Sequence, residues 1–214
     1  MFKNVKAILF DVDGTLIDTD SIIIESYREV FKELRPDYKL TEKEELSFLG
    51  PTLISMFSKY FKEDFETCRH IYHTYFMKNM LKIAKVYDGA VSLLTYLKEE
   101  GYKLGVVTSR LRFSALEVLE KFNLLSYFDV IIGLDDVTNP KPSPEGINKA
   151  MAELNVSIDE TIYIGDNKSD LIAGQSANLK TGLVTWSKGR NNRLENADFF
   201  IDNYNEFMKE FIDE

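Results

Sequence analysis

The chain has 214 residues, 44% of them apolar, and a formal net charge of −9. That length and composition support one large domain or two small ones around a real hydrophobic core, and the acidic balance argues against a general nucleic-acid binder, which would show a basic face. The lone cysteine, Cys68, can form no internal disulfide, no apolar run nears the ~20 residues that cross a bilayer, and no secretory leader pattern opens the sequence. The expectation is a cytoplasmic protein that binds neither membrane nor nucleic acid.

Residues Ala7 to Phe10 (AILF) are continuously apolar, as in a strand buried on both faces. DVDGT follows at 11 to 15, so Asp11 and Asp13 stand two apart where that strand ends. In extended backbone both carboxylates project to one side, and two like charges that close call for a cation or a shared proton. Asp20 to Leu34 carries apolar residues at helical spacing. A second helix is predicted from Thr41, where TEKE has the form of a capping box with Glu44 reaching back, and Gly50-Pro51 breaks it. Helices over Leu53 to Phe61 and Phe65 to Ile83 complete a stretch with no convincing strand. Cys68 sits in FETCRHIY as an ordinary helical residue, and no metal site is expected at His70 and His73.

From Tyr87 the pattern alternates. Asp88 is expected to cap a helix through Glu100, which Gly101 closes. Strands follow at Lys103 to Thr108, Asp129 to Gly133, Thr161 to Ile164 and Thr181 to Thr185, with a short one at Phe199 to Ile201. Helices near Phe113 to Phe122, Ser143 to Leu154 and Asp170 to Ala177 lie between them, and a terminal helix ends the chain. Such alternation predicts an α/β fold with a Rossmann-like parallel sheet. Residues 1–16 and 86–214 would form this core, and residues 17–85 an inserted helical domain.

Ligands of such sheets bind beyond the carboxyl ends of the strands. Four polar clusters fall there: DVDGT at 11–15, TSR at 108–110, NPKPS at 139–143 and GDNKSD at 165–170. Together they supply what phosphate-ester cleavage requires. A carboxylate nucleophile splits the displacement into two steps, and a second acid protonates the leaving oxygen and later activates water. A divalent cation keeps the two anions from repelling, while hydroxyl and ammonium donors hold the phosphoryl oxygens. Plainer roles compete: a polar strand end for Asp11 and Asp13, helix caps for Thr108 and Ser109, a solvated loop lysine for Lys141, a turn for Asp166 and a helix-start acid for Asp170. Gly14 reads as a backbone requirement.

In order and spacing these clusters resemble the four motifs of the haloacid dehalogenase superfamily, and the helical insertion falls where that family's first type of cap sits. The resemblance implies that Asp11 is the nucleophile and Asp13 the general acid and base. It implies that Thr108, with Ser109 beside it, binds phosphoryl oxygens and that Lys141 neutralises nucleophile and transferring group. Mg2+ would be held by Asp11, the backbone carbonyl of Asp13 and Asp166, with Asp170 a further carboxylate at the metal. An aspartate at position 13 sets the chain apart from true dehalogenases, so phosphoryl transfer is the implied reaction.

Within the insertion, Gly50, Pro51 and Thr52 offer a tight backbone and one hydroxyl toward the leaving group. With TSRLR, LDDVTNPKPSPEG and TWSKG they look similar to the branch holding phosphoglycolate phosphatases and bacterial pyrophosphatases, so the expected partner is a small phosphorylated substrate. A phosphomutase would use the same aspartates, but loop 49–53 contains no arginine for a distal phosphate. A non-catalytic receiver-like protein would need neither Asp13 nor a cap.

Overall fold

The computed structural model describes residues 2–187 and 196–212. Six strands form one parallel sheet: β1 (Ala7–Phe10), β4 (Lys103–Val107), β5 (Val130–Ile132), β6 (Thr161–Gly165), β7 (Lys180–Val184) and β8 (Phe199–Ile201), in the spatial order β5-β4-β1-β6-β7-β8. Taken in chain order this is 3-2-1-4-5-6, the doubly wound order whose direction reverses at the first strand. β1 is therefore central, with Phe10 level with Val106 on one side and Ile164 on the other. All four of its residues are fully buried, which explains the unbroken apolar run. Helices α5 (Ala90–Glu99), α6 (Arg112–Lys121), α7 (Glu145–Leu154), α8 (Lys168–Ser176) and α9 (Tyr204–Ile212) connect and cover the strands. The expected Rossmann-like α/β core is what the chain builds.

Between β1 and α5 the chain forms α1 (Asp20–Leu34), α2 (Glu42–Leu46), α3 (Leu53–Tyr60) and α4 (Phe65–Ile83). The capping box at Thr41 is present, its hydroxyl accepting from the Glu44 N–H while Glu44 accepts from the Thr41 N–H. α1 and α4 pack side by side around an aromatic cluster in which Tyr27 stacks on Phe48 at 4.3 Å and Phe31 meets Phe61 at 4.7 Å. Burying a large aromatic side chain is worth roughly 1.5–3 kcal/mol, so this cluster holds the insertion together with no strand in its interior.

Two details differ from the sequence reading. A two-residue antiparallel ribbon, β2 (Ile17–Asp18) with β3 (Lys85–Val86), ties the two ends of the insertion together. Two residues are too few to carry a period-2 signal, so the ribbon was invisible in the sequence. Asp88 does not cap α5: Gly89 takes the N-cap position with φ of 82°, and no side chain caps that helix. In the TWSKG stretch, Lys188 and Gly189 lie outside the described residues.

Candidate active site

The first wall of the site is the end of β1. Asp11 follows the strand directly, its N–H donating to Ile164 O at 2.9 Å, so its carboxylate stands over the switch point of the sheet. The chain then turns sharply, with Gly14 at φ 76° donating its N–H to Ile17 O at 2.8 Å. That left-handed conformation is open to glycine at little cost. Thr108 and Asp166 leave the neighbouring strands at the same level. The Thr108 N–H donates to Ile132 O at 3.0 Å, while its hydroxyl accepts from the Arg110 N–H at 3.2 Å. α6 has Leu111 at its N-cap and no side-chain cap, so neither Thr108 nor Ser109 caps that helix, and both face the cleft.

Lys141 is delivered by a loop fastened from behind. Glu145, in the first turn of α7, accepts from the backbone N–H groups of Thr138 (2.7 Å) and Asn139 (2.9 Å), which hold its carboxyl below the ordinary range. The ammonium reaches Asp11 Oδ1 at 2.8 Å and Asp170 Oδ1 at 2.6 Å, with Val107 O and the Tyr163 hydroxyl each at 3.1 Å. Its side chain is 5% exposed. Burial works against the charge, but the two carboxylates outweigh it, and Lys141 is held well above its usual range. It is a buried, ion-paired cation, not a solvated loop residue.

Asp170 is placed by α8. Asn167 caps the helix, accepting from the Ser169 and Asp170 N–H groups, and Asp170 completes the capping box. Its Oδ2 accepts from the N–H groups of Asp166 (3.2 Å) and Asn167 (3.0 Å), and its Oδ1 from Lys141 and the Tyr163 hydroxyl (3.0 Å). The approach of helix to strand requires Gly165, where a Cβ would lie 2.3 Å from the Asp170 Cβ. A carboxylate has about four acceptor positions, and four donors already occupy those of Asp170. Asp170 is thus a helix-start acid and a lysine partner at once.

Asp11, Asp166 and Asp170 are all buried, and one carboxylate oxygen from each lies within 4.8 Å of the others. Burial, aided by the charges of Asp170 and Asp13 and opposed by Lys141, pushes the Asp11 carboxyl from 3.8 up to about 6. One ammonium against three carboxylates leaves a net negative cluster, in which Asp11 and Asp166 offer oxygen ligands of the kind that suit a hard divalent cation.

Asp13 lines the same cleft but has a different cation as its partner. Both of its oxygens are forked by Arg110, Nε to Oδ2 at 2.6 Å and Nη2 to Oδ1 at 2.7 Å, and the Thr19 hydroxyl donates to Oδ1 at 2.5 Å. The Arg110 guanidinium lies 4.5 Å from the ring centre of Phe76, on α4 of the insertion. Arg110 received no role from the sequence although it follows Thr108 by two residues. Its partner is 97 positions away, a pairing no local pattern announces.

The insertion closes the cleft from above. Gly50 and Pro51 line it, and Gly50, at φ 100°, packs so near Asn167 that a Cβ would sit 3.2 Å from its side-chain amide nitrogen. Thr52 departs from expectation. It does not line the cleft, and its hydroxyl accepts from the Ser55 N–H as the N-cap of α3. The cation that loop 49–53 lacks comes from α4, where Arg69 and His73 face the cleft together with Tyr72 and Phe76. The spacing 69, 72, 73, 76 marks one helical face and was the signal available in the sequence. Burial lowers the His73 imidazole, opposed by Glu117 at 3.4 Å. Cys68 is buried within the insertion.

A doubly wound sheet that gathers aspartates, a buried lysine and a threonine hydroxyl at its switch point is built to hold an anion through cationic groups. The family model for haloacid dehalogenase-like hydrolases matches residues 8–184, and the chain belongs to that family. It is a hydrolase of the phosphatase kind. The pyrophosphatase PpaX of Listeria monocytogenes is 35% identical over 216 residues, covering 100% of both chains. PpaX of Halalkalibacterium halodurans is 37% identical over 183 residues, covering 86% of this chain and 85% of that one. Among solved structures, CbbY from Rhodobacter sphaeroides in complex with phosphate is similar at a TM-score of 0.83 and 26% identity, covering 95% of this chain and 96% of that one.

Proposed function

We propose that this protein is a magnesium-dependent phosphohydrolase for small phosphorylated metabolites of the pyrophosphate or phosphoglycolate class, acting through an aspartyl-phosphate on Asp11. The observation that carries this reading is the contact of Lys141 with Asp11 beside the three-carboxylate cluster. The residues form two functional units, a core of residues 1–16 and 86–214 and a cap of residues 17–85. Asp11, Asp166 and the carbonyl of Asp13 would hold Mg2+, with Asp170 fixing Lys141 and the Asp166 backbone behind them. The ion supplies charge neutralisation between nucleophile and phosphate.

The chemistry of the chain's own groups follows. An Asp11 oxygen attacks phosphorus, the bond to the leaving oxygen breaks, and Asp13 gives that oxygen a proton. Asp13, now a carboxylate, takes a proton from water as the water oxygen attacks phosphorus, and the bond to Asp11 breaks to release phosphate. Lys141 and the hydroxyls of Thr108 and Ser109 hold the phosphoryl oxygens as charge redistributes. Gly50 and Pro51 border the leaving group, and the closed cap keeps out bulk water.

The names of the PpaX relatives favour pyrophosphate over phosphoglycolate. A phosphomutase reading gains one support from the structure, since Arg69 offers the cap cation that loop 49–53 lacks. Assay of the purified protein with Mg2+ against pyrophosphate, phosphoglycolate, hexose phosphates and nucleotides separates these readings. Highest kcat/KM on the two small compounds is expected. A preferred hexose phosphate, or a requirement for a sugar bisphosphate, would move the assignment to the mutases.

A further inference from the structure

The proposed general acid is occupied. Arg110 takes both oxygens of Asp13, and Thr19 takes one of them again, so both oxygens are engaged before any leaving group arrives. A charge-assisted fork of this kind is among the strongest side-chain pairings, and here water is largely excluded, the Arg110 side chain being 10% exposed. Arg110 is also clamped across the cleft: its Nη1 donates to Ser114 Oγ at 3.2 Å on the core side, and Phe76 covers it from the cap. It lines the same cleft as Thr108 and Lys141.

Resting on the phosphohydrolase reading above, we infer that Arg110 is the specificity residue for an anionic leaving group. On binding, a second phosphate or a carboxylate on the substrate takes the guanidinium fork and releases Asp13 to face the leaving oxygen. A neutral leaving group cannot make this exchange, because breaking the fork without replacement strands a buried charge. The remaining cleft wall fits such a group. Arg69 faces it from α4, and the Tyr27 hydroxyl, buried at the same wall, has no hydrogen-bond partner among the described residues. A buried hydroxyl without a partner is uncommon, and a bound oxyanion would satisfy it.

The test uses non-hydrolysable probes, calorimetry with MgCl2 present and crystallography. Methylenediphosphonate carries the second phosphoryl anion, phosphonoacetate the carboxylate, and methylphosphonate neither. The wild type should prefer one of the first two over methylphosphonate by on the order of 10–100-fold, and R110M should lose most of that preference. R110K keeps the charge but not the fork and should retain part of it. Should R110M not fold, R110K and the wild-type complex still decide. In a wild-type crystal with the preferred probe, Arg110 should contact the second anion and Asp13 should have left it. With substrates, R110M should lose about 10-fold more kcat/KM on pyrophosphate or phosphoglycolate than on 4-nitrophenyl phosphate. Equal losses on all probes, or an Arg110–Asp13 fork intact beside bound diphosphonate, would overturn the inference while leaving the hydrolase reading in place. A wild type that hydrolyses no phosphorylated compound in Mg2+ would overturn both.

Discussion

Replacing Lys141 by methionine isolates the electrostatics of the site from its packing, because methionine keeps the chain length and apolar stem and removes only the ammonium. Four contacts disappear, two of them to the carboxylates of Asp11 and Asp170 at 2.8 and 2.6 Å. Both carboxylates are buried, at 4% and 0% exposure, so neither can turn to solvent for compensation. Removing one partner of a buried ion pair costs about 3–5 kcal/mol, which for a chain of this size lowers the melting temperature by roughly 6–20 °C.

The pH dependence has a definite sign. The folded-state Lys141 group lies above its ordinary value, so its contribution is fully present below pH 10.5 and is lost only as pH rises beyond that. Between pH 5 and 8 the ammonium therefore stays charged, and Asp11, at about 6, is the member of the pair that titrates. In K141M, Asp11 loses the cation that had held it down and moves above its present value of about 6. Acidification from pH 8 to 5 then lets Asp11 take up a proton, and the deficit of the variant should shrink. Urea unfolding in EDTA at pH 5, 7 and 8 measures this directly, with K141M/D170N as the second arm. Removing the second carboxylate should recover part of the loss, and Mg2+ should also recover part of it. A K141M protein within about 1 kcal/mol of wild type at pH 7 in EDTA, a loss ordinary for any substitution, would refute the idea that Lys141 neutralises this cluster.

D11N should abolish turnover, yet in EDTA at pH 7 it should be more stable than wild type. Burial raises the folded Asp11 carboxyl from 3.8 to about 6, so wild-type stability falls as pH rises through that window, by on the order of 1–3 kcal/mol. Lys141 keeps Asp170, and the gap between D11N and wild type should close near pH 4; a D11N less stable at pH 7 would contradict this. G165A drives a Cβ to within 2.3 Å of the Asp170 Cβ and should cost about 1–3 kcal/mol while displacing Asp170, Lys141 and Asp166 together, which thermal melts and Mg2+ titration read side by side. Activity should vanish on chelation and return with Mg2+. Ca2+ should inhibit, because it takes more ligands at longer distances than an octahedral ion; full turnover after exhaustive EDTA treatment would refute the metal site.

Much of this was legible because its causes are local or periodic. The unbroken AILF run signals a strand buried on both faces, TEKE signals a capping box, and polar clusters after apolar strands signal the carboxyl edge of a parallel sheet. The strands that carry Asp11, Thr108 and Asp166 could be placed from pattern alone, and the doubly wound order then brought them together. What stayed hidden depends on distance. Arg110 gained its role by meeting Asp13 and Phe76, neither near it in sequence. Arg69 lies outside loop 49–53, and only the packing of the cap turns its face of α4 into the cleft. Thr52 presented a free hydroxyl in the sequence, but α3 begins at the next residue and uses it as a cap. Asp88 failed as a cap because Gly89, in a left-handed conformation, starts the helix one residue later.

The central claim is that phosphate passes through Asp11, and chemical trapping tests it most directly. Wild-type protein turning over pyrophosphate or phosphoglycolate with Mg2+ is acid-quenched, reduced with borohydride and digested for peptide mass analysis. Borohydride reduces an acyl phosphate but not a free carboxylate, so homoserine is expected at position 11, dependent on substrate, enriched in D13N and absent from D11N. Continued turnover with position 11 recovered only as aspartate, or homoserine at another residue, would contradict the assignment.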